Sequence, residues 1–279
     1  MMTKVCKVVF VLFFSNIDVA LEFSNSCRKV PYLPTTLNTA IYFISEGTSM
    51  AQVAKKVVVD LFYDVVSPYS YIAFEALTRY NHEWKNMKLQ LKPVYLAGIM
   101  AGSSNVPPGS NRAKARYMNR DLPRMAKYFA LPFKYPANMR KVMFEKGTKQ
   151  AQRFLAAASR ECPQHLEQLS RELFLRMWVK DEDVTTDESL KEAGKRAGIP
   201  ENELSTLVSI VANDEVKQSL KDTTQTALDY GAFGAPTYVV HLQDGPVMLF
   251  GLDRLFLLAH YLGNQWQPTS PGVQVEAKI

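Results

Sequence analysis

Between Val57 and Leu77 the chain changes its period abruptly. Val57-Val58-Val59-Asp60-Leu61-Phe62-Tyr63 is an apolar run of strand length, whereas Tyr71-Ile72-Ala73-Phe74-Glu75-Ala76-Leu77 has helical spacing. Asp64-Val65-Val66-Ser67-Pro68-Tyr69-Ser70 must therefore hold a tight turn and a helix start. Ser67 suits the N-cap, where its side-chain oxygen accepts a first-turn N–H, and Pro68 suits the first helical position. A helix that begins at the carboxyl end of a buried strand presents free N–H groups and the positive end of its dipole. A carboxylate, a phosphate or a thiolate would each fit in front of it. Capping alone would also account for Ser67.

The remaining elements arrange themselves around this turn. Leu89-Gln90-Leu91-Lys92-Pro93-Val94-Tyr95-Leu96 reads as a second strand after a first helix ending near Lys85. A strand–helix–strand unit of this length implies a parallel pair with a right-handed crossover. A polar loop follows from Ala101 to Asn111, and from Arg112 to about Leu228 the pattern is almost wholly helical. Gly147–Glu161, Leu166–Val179 and Asp187–Ala197 carry apolar residues three and four apart. Strands return as Thr237-Tyr238-Val239-Val240-His241 and Val247-Met248-Leu249-Phe250, which flank the hairpin signal Asp244-Gly245. A closing helix spans Arg254 to Leu262. The order predicts an α/β fold, a thioredoxin-like βαβ…ββα core interrupted by a large all-helical insertion. Its expected parts are an extension over 1–53, core segments over 54–111 and 229–265, the insertion over 112–228 and a polar tail over 266–279. In such a core the turn after the first strand is where Cys-x-x-Cys would stand. Here it is Ser67-Pro68-Tyr69-Ser70, so disulfide exchange at this turn is excluded.

Composition narrows the partners. With 279 residues, 47% of them hydrophobic, the chain can bury a full core. Its net charge of +6 is scattered, with no dense basic block interleaved with aromatics, so nucleic acid is not expected as a partner. Cys6, Cys27 and Cys162 lie far apart, and His82, His165, His241 and His260 show no ligand spacing, so neither a disulfide framework nor a metal is expected. Val8-Val9-Phe10-Val11-Leu12-Phe13-Phe14 after Lys4 and Lys7 reads as a short signal-peptide core or weak targeting segment, too short to span a bilayer. Met50, seven residues before Val57, reads as an alternative start, the reading favoured over a signal peptide.

Chemistry is expected at three further places. Pro236, just before the third strand, is read as cis and facing the first helix, an isomer that X–Pro permits for about 0.5–1 kcal/mol. Ala235 beside it would pair through its backbone with a short extended peptide. Asp253 opens the last helix, either as an N-cap or as the partner of a ligand ammonium. Lys114 and Arg116, after the polar loop, offer a partner to a carboxylate.

The stretch Leu61 to Tyr71 resembles the opening of kappa-class glutathione transferases. So do Gly98-Ile99-Met100, Asn105-Val106-Pro107-Pro108-Gly109, Tyr230 to Pro236 and Leu249 to Arg254, which together cover roughly Val57 to Trp266. The resemblance implies a homodimeric enzyme with a DsbA-like thioredoxin fold, glutathione as co-substrate and no tightly bound cofactor. Small electrophiles or hydroperoxides would be its second substrates. It further implies that Ser67 is catalytic, its hydroxyl serving the glutathione sulfur. Pro68, Tyr69, Asn105, Lys114, Ala235, Pro236, Leu252 and Asp253 would hold the tripeptide with it. Leu252 departs from the serine of the family pattern, which removes a side-chain hydroxyl but spares a backbone contact. A thiol of pKa near 8.5 is less than about one-tenth thiolate at neutral pH, and lowering it by roughly two units needs only about 2.7 kcal/mol. A hydroxyl hydrogen bond and a helix N-terminus are of that size.

The 2-hydroxychromene-2-carboxylate isomerases resemble the chain as well, which leaves glutathione-dependent isomerisation as an alternative. A non-enzymatic thioredoxin-like module that binds glutathione or a peptide is another. The resemblance implies mitochondria or peroxisomes, with the cytoplasm as a further alternative. Ala277-Lys278-Ile279 approximates the Ser-Lys-Leu peroxisomal address. No stable membrane insertion is expected.

Overall fold

The computed structural model describes residues 9–14, 17–22, 56–138 and 147–266. The chain divides into two compact units, Met1–Val53 and Ala54–Ile279. In the first, β1 (Val9–Phe14) and β2 (Ile17–Glu22) pair antiparallel with Phe14 opposite Ile17. Most of the run expected as a targeting core is thus a strand. Met50, the residues after Trp266 and the terminal Ala277-Lys278-Ile279 lie outside the described residues, so the expectations placed on them carry no structural account.

The second unit is organised by β3 (Val57–Tyr63), whose last five residues are buried. Burial on both faces explains why it reads as a continuous apolar run rather than an alternating one. The sheet order is β4-β3-β5-β6. β4 (Met87–Pro93) runs parallel to β3 after the crossover α1 (Pro68–Glu83), while β5 (Thr237–Leu242) and β6 (Gly245–Phe250) return antiparallel. Val59, Leu61 and Tyr63 enter the main core with Ile72, Phe74 and Phe174, and Phe62 joins a smaller cluster with Val94, Ile99 and Val239. Between the halves of the sheet the chain forms α2 (Leu96–Gly102), α3 (Arg112–Tyr128), α4 (Lys149–Glu161), α5 (Leu166–Leu175), α6 (Asp187–Arg196), α7 (Glu201–Ile210) and α8 (Asp214–Asp229). The closing helix is α9 (Leu255–Tyr261). This is the thioredoxin-like α/β core with a helical insertion that the element order predicts.

Four local expectations differ from the structure. The second strand stops at Pro93 rather than Leu96, because Leu96 N–H donates to the buried Asp64 Oδ2 at 2.9 Å and starts α2 instead. That helix and a short turn at Pro108–Ser110 occupy much of the expected loop from Ala101 to Asn111. The helix expected over 166–179 ends as α5 at Leu175, and Arg176–Lys180 widens into a π-turn. Trp178 is the reason, since its indole N–H donates to Val65 O at 2.8 Å and its carbonyl accepts from Lys134 N at 2.7 Å. The hairpin turn is Gln243-Asp244, one residue earlier than Asp244-Gly245, and Gly245 opens β6 opposite Leu242 at φ 120°. Val240 then faces Val247, and a one-residue slip would reverse both faces of β6.

The junction that positions the turn is Asp64, whose side chain is fully buried. Oδ1 accepts Val66 N–H at 3.0 Å and the Thr148 hydroxyl at 2.8 Å, and Oδ2 accepts Leu96 N–H. The first ties the turn to itself; the others tie it to the residue before α4 and to α2. Burial pushes the Asp64 carboxyl up, and these hydrogen bonds pull it part of the way back. A carboxyl whose folded pKa is raised binds more protons folded than unfolded between the two values, so its contribution to stability falls as pH rises through that window. Asp64→Asn should therefore cost about 1–3 kcal/mol near pH 4, by pointing an amide at bound donors. The gap to the parent protein should narrow as pH rises toward 8. Urea unfolding over that range measures it, and a gap that widens with pH would mean the hydrogen bonds outweigh burial.

Candidate active site

Ser67 is where strand becomes helix. Its φ and ψ of −90° and 113° are extended, its Oγ accepts Ser70 N–H at 3.1 Å, and Pro68 follows at the first helical position. The N-cap reading is therefore correct. It is also incomplete, because the same hydroxyl donates to Ala235 O at 3.1 Å across 168 positions of sequence. Ser67 is nearly buried, at 5% exposure. The turn behind it is fixed by Ser67 N–H to Asp64 O at 3.0 Å and by the Trp178–Val65 bond. The helix itself is anchored through Glu75, which receives Arg171 Nε at 3.1 Å from α5.

The opposing segment is Phe233-Gly234-Ala235-Pro236, with the Ala235–Pro236 bond cis as expected. A Cβ on Gly234 would lie 2.8 Å from the Phe250 ring, so glycine lets this segment sit against β6. The Ala235 carbonyl is engaged by Ser67. Asn105 is drawn to the same segment, its amide donating to Phe233 O at 2.6 Å. Pro68 and Pro236 are buried supports.

Tyr69 points to α3, where its hydroxyl donates to Asp121 Oδ2 at 2.9 Å, while Tyr117 donates to Oδ1 at 3.1 Å. Burial, and then Asp121, push the Tyr69 phenol up, which keeps it a donor. Lys114, Tyr117 and Asp121 are spaced by three and four residues and so share one face of α3. Arg116 lies off that face. Lys114 is exposed and has no acidic partner among the described residues. Tyr71, two residues after Tyr69, is fully buried against Phe174 with ring centroids 5.7 Å apart.

Asp253 is not an N-cap. It lies inside a short turn, Leu252–Arg254, and its carboxylate contacts Arg254 Nη1 at 2.5 Å. Gly251 precedes it at φ 95°, where an added Cβ would come 2.7 Å from Asp253 Oδ1. Leu252 is 4% exposed and packs in the main core, so only its backbone is free to meet a ligand. A cavity of about 500 Å³ adjoins Asp121 and Asp253 and continues over Met125, Phe129, Phe256 and Trp266. Ser67, Ala235, Asn105 and Tyr69 are thus joined by direct bonds or a shared segment, and Asp121 links Tyr69 to the cavity that Asp253 borders. Reading the sequence missed Asp64, Asp121 and Trp178. Asp121 had a signal, being seven residues after Lys114 on the same helical face. Trp178 had none, because its role depends on a π-turn.

The DSBA-like thioredoxin domain model matches residues 58–263. Human glutathione S-transferase kappa 1 is 44% identical over 216 residues, which cover 77% of this chain and 95% of the human protein. A 2-hydroxychromene-2-carboxylate isomerase from Pseudomonas sp. is 26% identical over 75% of this chain and 91% of its own. The solved structure of a 2-hydroxychromene-2-carboxylate isomerase superposes with a TM-score of 0.61 at 22% identity, covering 74% of this chain and 94% of that one.

Asn105 and Lys114 separate scaffold from ligand contact. Asn105→Ala removes the tie to Phe233 and should lower stability by about 0.5–1.5 kcal/mol in urea unfolding. Lys114→Ala breaks no bond within the described residues and should stay within about 0.5 kcal/mol of the parent. A large stability loss for Lys114→Ala would assign it to the scaffold.

Proposed function

This chain belongs to the kappa class of glutathione transferases, within the DsbA-like thioredoxin-domain family, and from that premise we propose that it activates the glutathione thiol at Ser67 for attack on small electrophiles. The observation that carries the reading is the Ser67 hydroxyl, nearly buried at the N-terminus of α1 and donating to a carbonyl on the facing segment.

That carbonyl is a neutral acceptor. A thiolate seated before α1 is an anionic one, and hydrogen bonds to ionised acceptors are roughly twice as strong. The Ser67 proton therefore turns from Ala235 O to the sulfur when the sulfur is charged, while the first-turn N–H groups and the helix dipole add to the same preference. The cysteine backbone of the tripeptide pairs with Ala235 N–H, its ammonium lies near Asp253, and Lys114 meets a carboxylate. The thiolate attacks an electrophilic carbon, forming a carbon–sulfur bond as the leaving group departs with its electron pair. The cavity over Met125, Phe129, Phe256 and Trp266 is apolar on one side and bordered by Asp121 and Arg124, which suits an aromatic electrophile with polar substituents.

Finer readings accompany this one. Hydroperoxides are proposed as second acceptors, because the same thiolate is a reductant. A homodimer is proposed on the resemblance, supported by Val106 and Phe233, both exposed beside the cis-proline segment at 61% and 40%. Mitochondrial location is proposed on the resemblance alone. Glutathione-dependent isomerisation is the second reading, favoured by the isomerase relatives at lower identity.

Conjugation of glutathione to 1-chloro-2,4-dinitrobenzene, followed by absorbance, separates transferase from isomerase, and no conjugate at saturating glutathione would sink the transferase reading. Ser67→Ala should lower kcat/KM by about 10–100-fold at pH 7, the worth of one hydrogen bond to a charged group at roughly 1.5–3 kcal/mol. The deficit should shrink above about pH 8.5, where the thiol ionises unaided. Unchanged turnover would refute the role. Lys114→Ala should instead raise KM for glutathione with little change in kcat.

A further inference from the structure

β3 turns Val58, Asp60 and Phe62 away from the main core, and Asp60 is a carboxylate. It lines a cavity of about 690 Å³ between the sheet and α8, to which Phe62, Lys92 and Asp222 also contribute. None of the residues assigned to glutathione lines this cavity. Asp60 is 7% exposed, and its Oδ2 is held by His241 Nε2 at 2.8 Å. Its Oδ1 is buried with no hydrogen-bond partner among the described residues, the nearest cation being Lys92 Nζ at 3.9 Å. A buried carboxylate oxygen without a donor is uncommon, and here it sits at the wall of a space large enough for a small molecule.

The other walls offer the same chemistry. Thr223 and Thr226 donate their hydroxyl protons to Ser219 O and Asp222 O, so their lone pairs remain as acceptors. Gln218 donates to Asp222 Oδ1, leaving Oδ2 free of it. Arg160 is occupied by Glu215 at 3.3 Å. Three carboxylates (Asp60, Glu215 and Asp222) face two cations, Lys92 paired with Asp60 at 3.9 Å and Arg160 with Glu215 at 3.3 Å, which leaves Asp222 without a cation on this wall. Lys92 lies on the edge strand with a side chain 36% exposed, so it can swing outward when another cation takes its place.

We propose that this cavity is a binding site for a small aliphatic amine. One ammonium meets Asp60 Oδ1, displacing Lys92, and a second group of the amine reaches Asp222. The reading does not depend on the glutathione site. The chain's overall charge of +6 disfavours indiscriminate uptake of amines elsewhere on its surface, so a specific site should stand out.

Isothermal titration of the full-length protein with 1,4-diaminobutane at low salt tests it, with 1,4-butanediol as an uncharged match. One-site binding of the diamine is expected, weakened at least tenfold by Asp222→Asn and lost in Asp60→Asn, with no heat from the diol. Asp222 is on the surface of α8, and retained glutathione conjugation reports that Asp222→Asn is folded even if Asp60→Asn is not. Absence of diamine binding, equal affinity in Asp222→Asn, or diol binding as tight as the diamine would each overturn the proposal.

Discussion

A single buried carboxylate holds the turn before α1 in place. Asp64 collects a donor from its own turn, one from the start of α2 and one from the residue before α4. The three arrive from parts of the chain up to 84 positions away. A hydrophobic residue at this place would leave all three donors buried and unsatisfied, each costing about 1–3 kcal/mol. Burying a charge is also costly, and burial does raise the Asp64 pKa. The carboxylate is retained because three donors converge on it, and their convergence sets where Ser67 stands.

From that anchor the site is assembled by one bond between the two ends of the fold. Ser67 O–H to Ala235 O joins the segment before α1 to the segment before β5. Its two roles do not conflict. As N-cap the oxygen accepts from Ser70, while its proton is left to be donated. A cysteine here would supply its own sulfur and could be oxidised; a serine can only lend a proton. The fold thus keeps the anion-favouring helix end of a redox protein, and in the function proposed above the sulfur comes from the ligand.

Much of this was legible because the informative signals were local. The period change at Asp64 located the turn, Ser67-Pro68 fixed its cap, and Ala235-Pro236 was recognisable as the segment facing it. The errors share another cause. The end of the second strand, the π-turn at Trp178 and the role of Asp121 depend on partners far away in sequence. Leu96 is compatible with a strand until Asp64 captures its N–H, and no spacing rule contains that bond. Asp253 shows the same limit from the other direction. Its sequence context suits an N-cap, but the turn at Gly251 carries it past that position and onto the surface.

That displacement makes Asp253 suitable for recognition. Its side chain is 70% exposed and shares a close ion pair with Arg254, itself 46% exposed. Such exposed pairs contribute little, typically about 0–1 kcal/mol, because water competes with both partners. Asp253 therefore gives up almost nothing when a ligand ammonium approaches, whereas a buried, fully paired aspartate would resist. Leu252 complements this. By filling the core it fixes the turn, and in the function proposed above recognition there falls to backbone groups and to an exposed carboxylate. Glutathione affinity should then depend more on salt than it would with a serine at that position, since more of it is carried by an exposed charge.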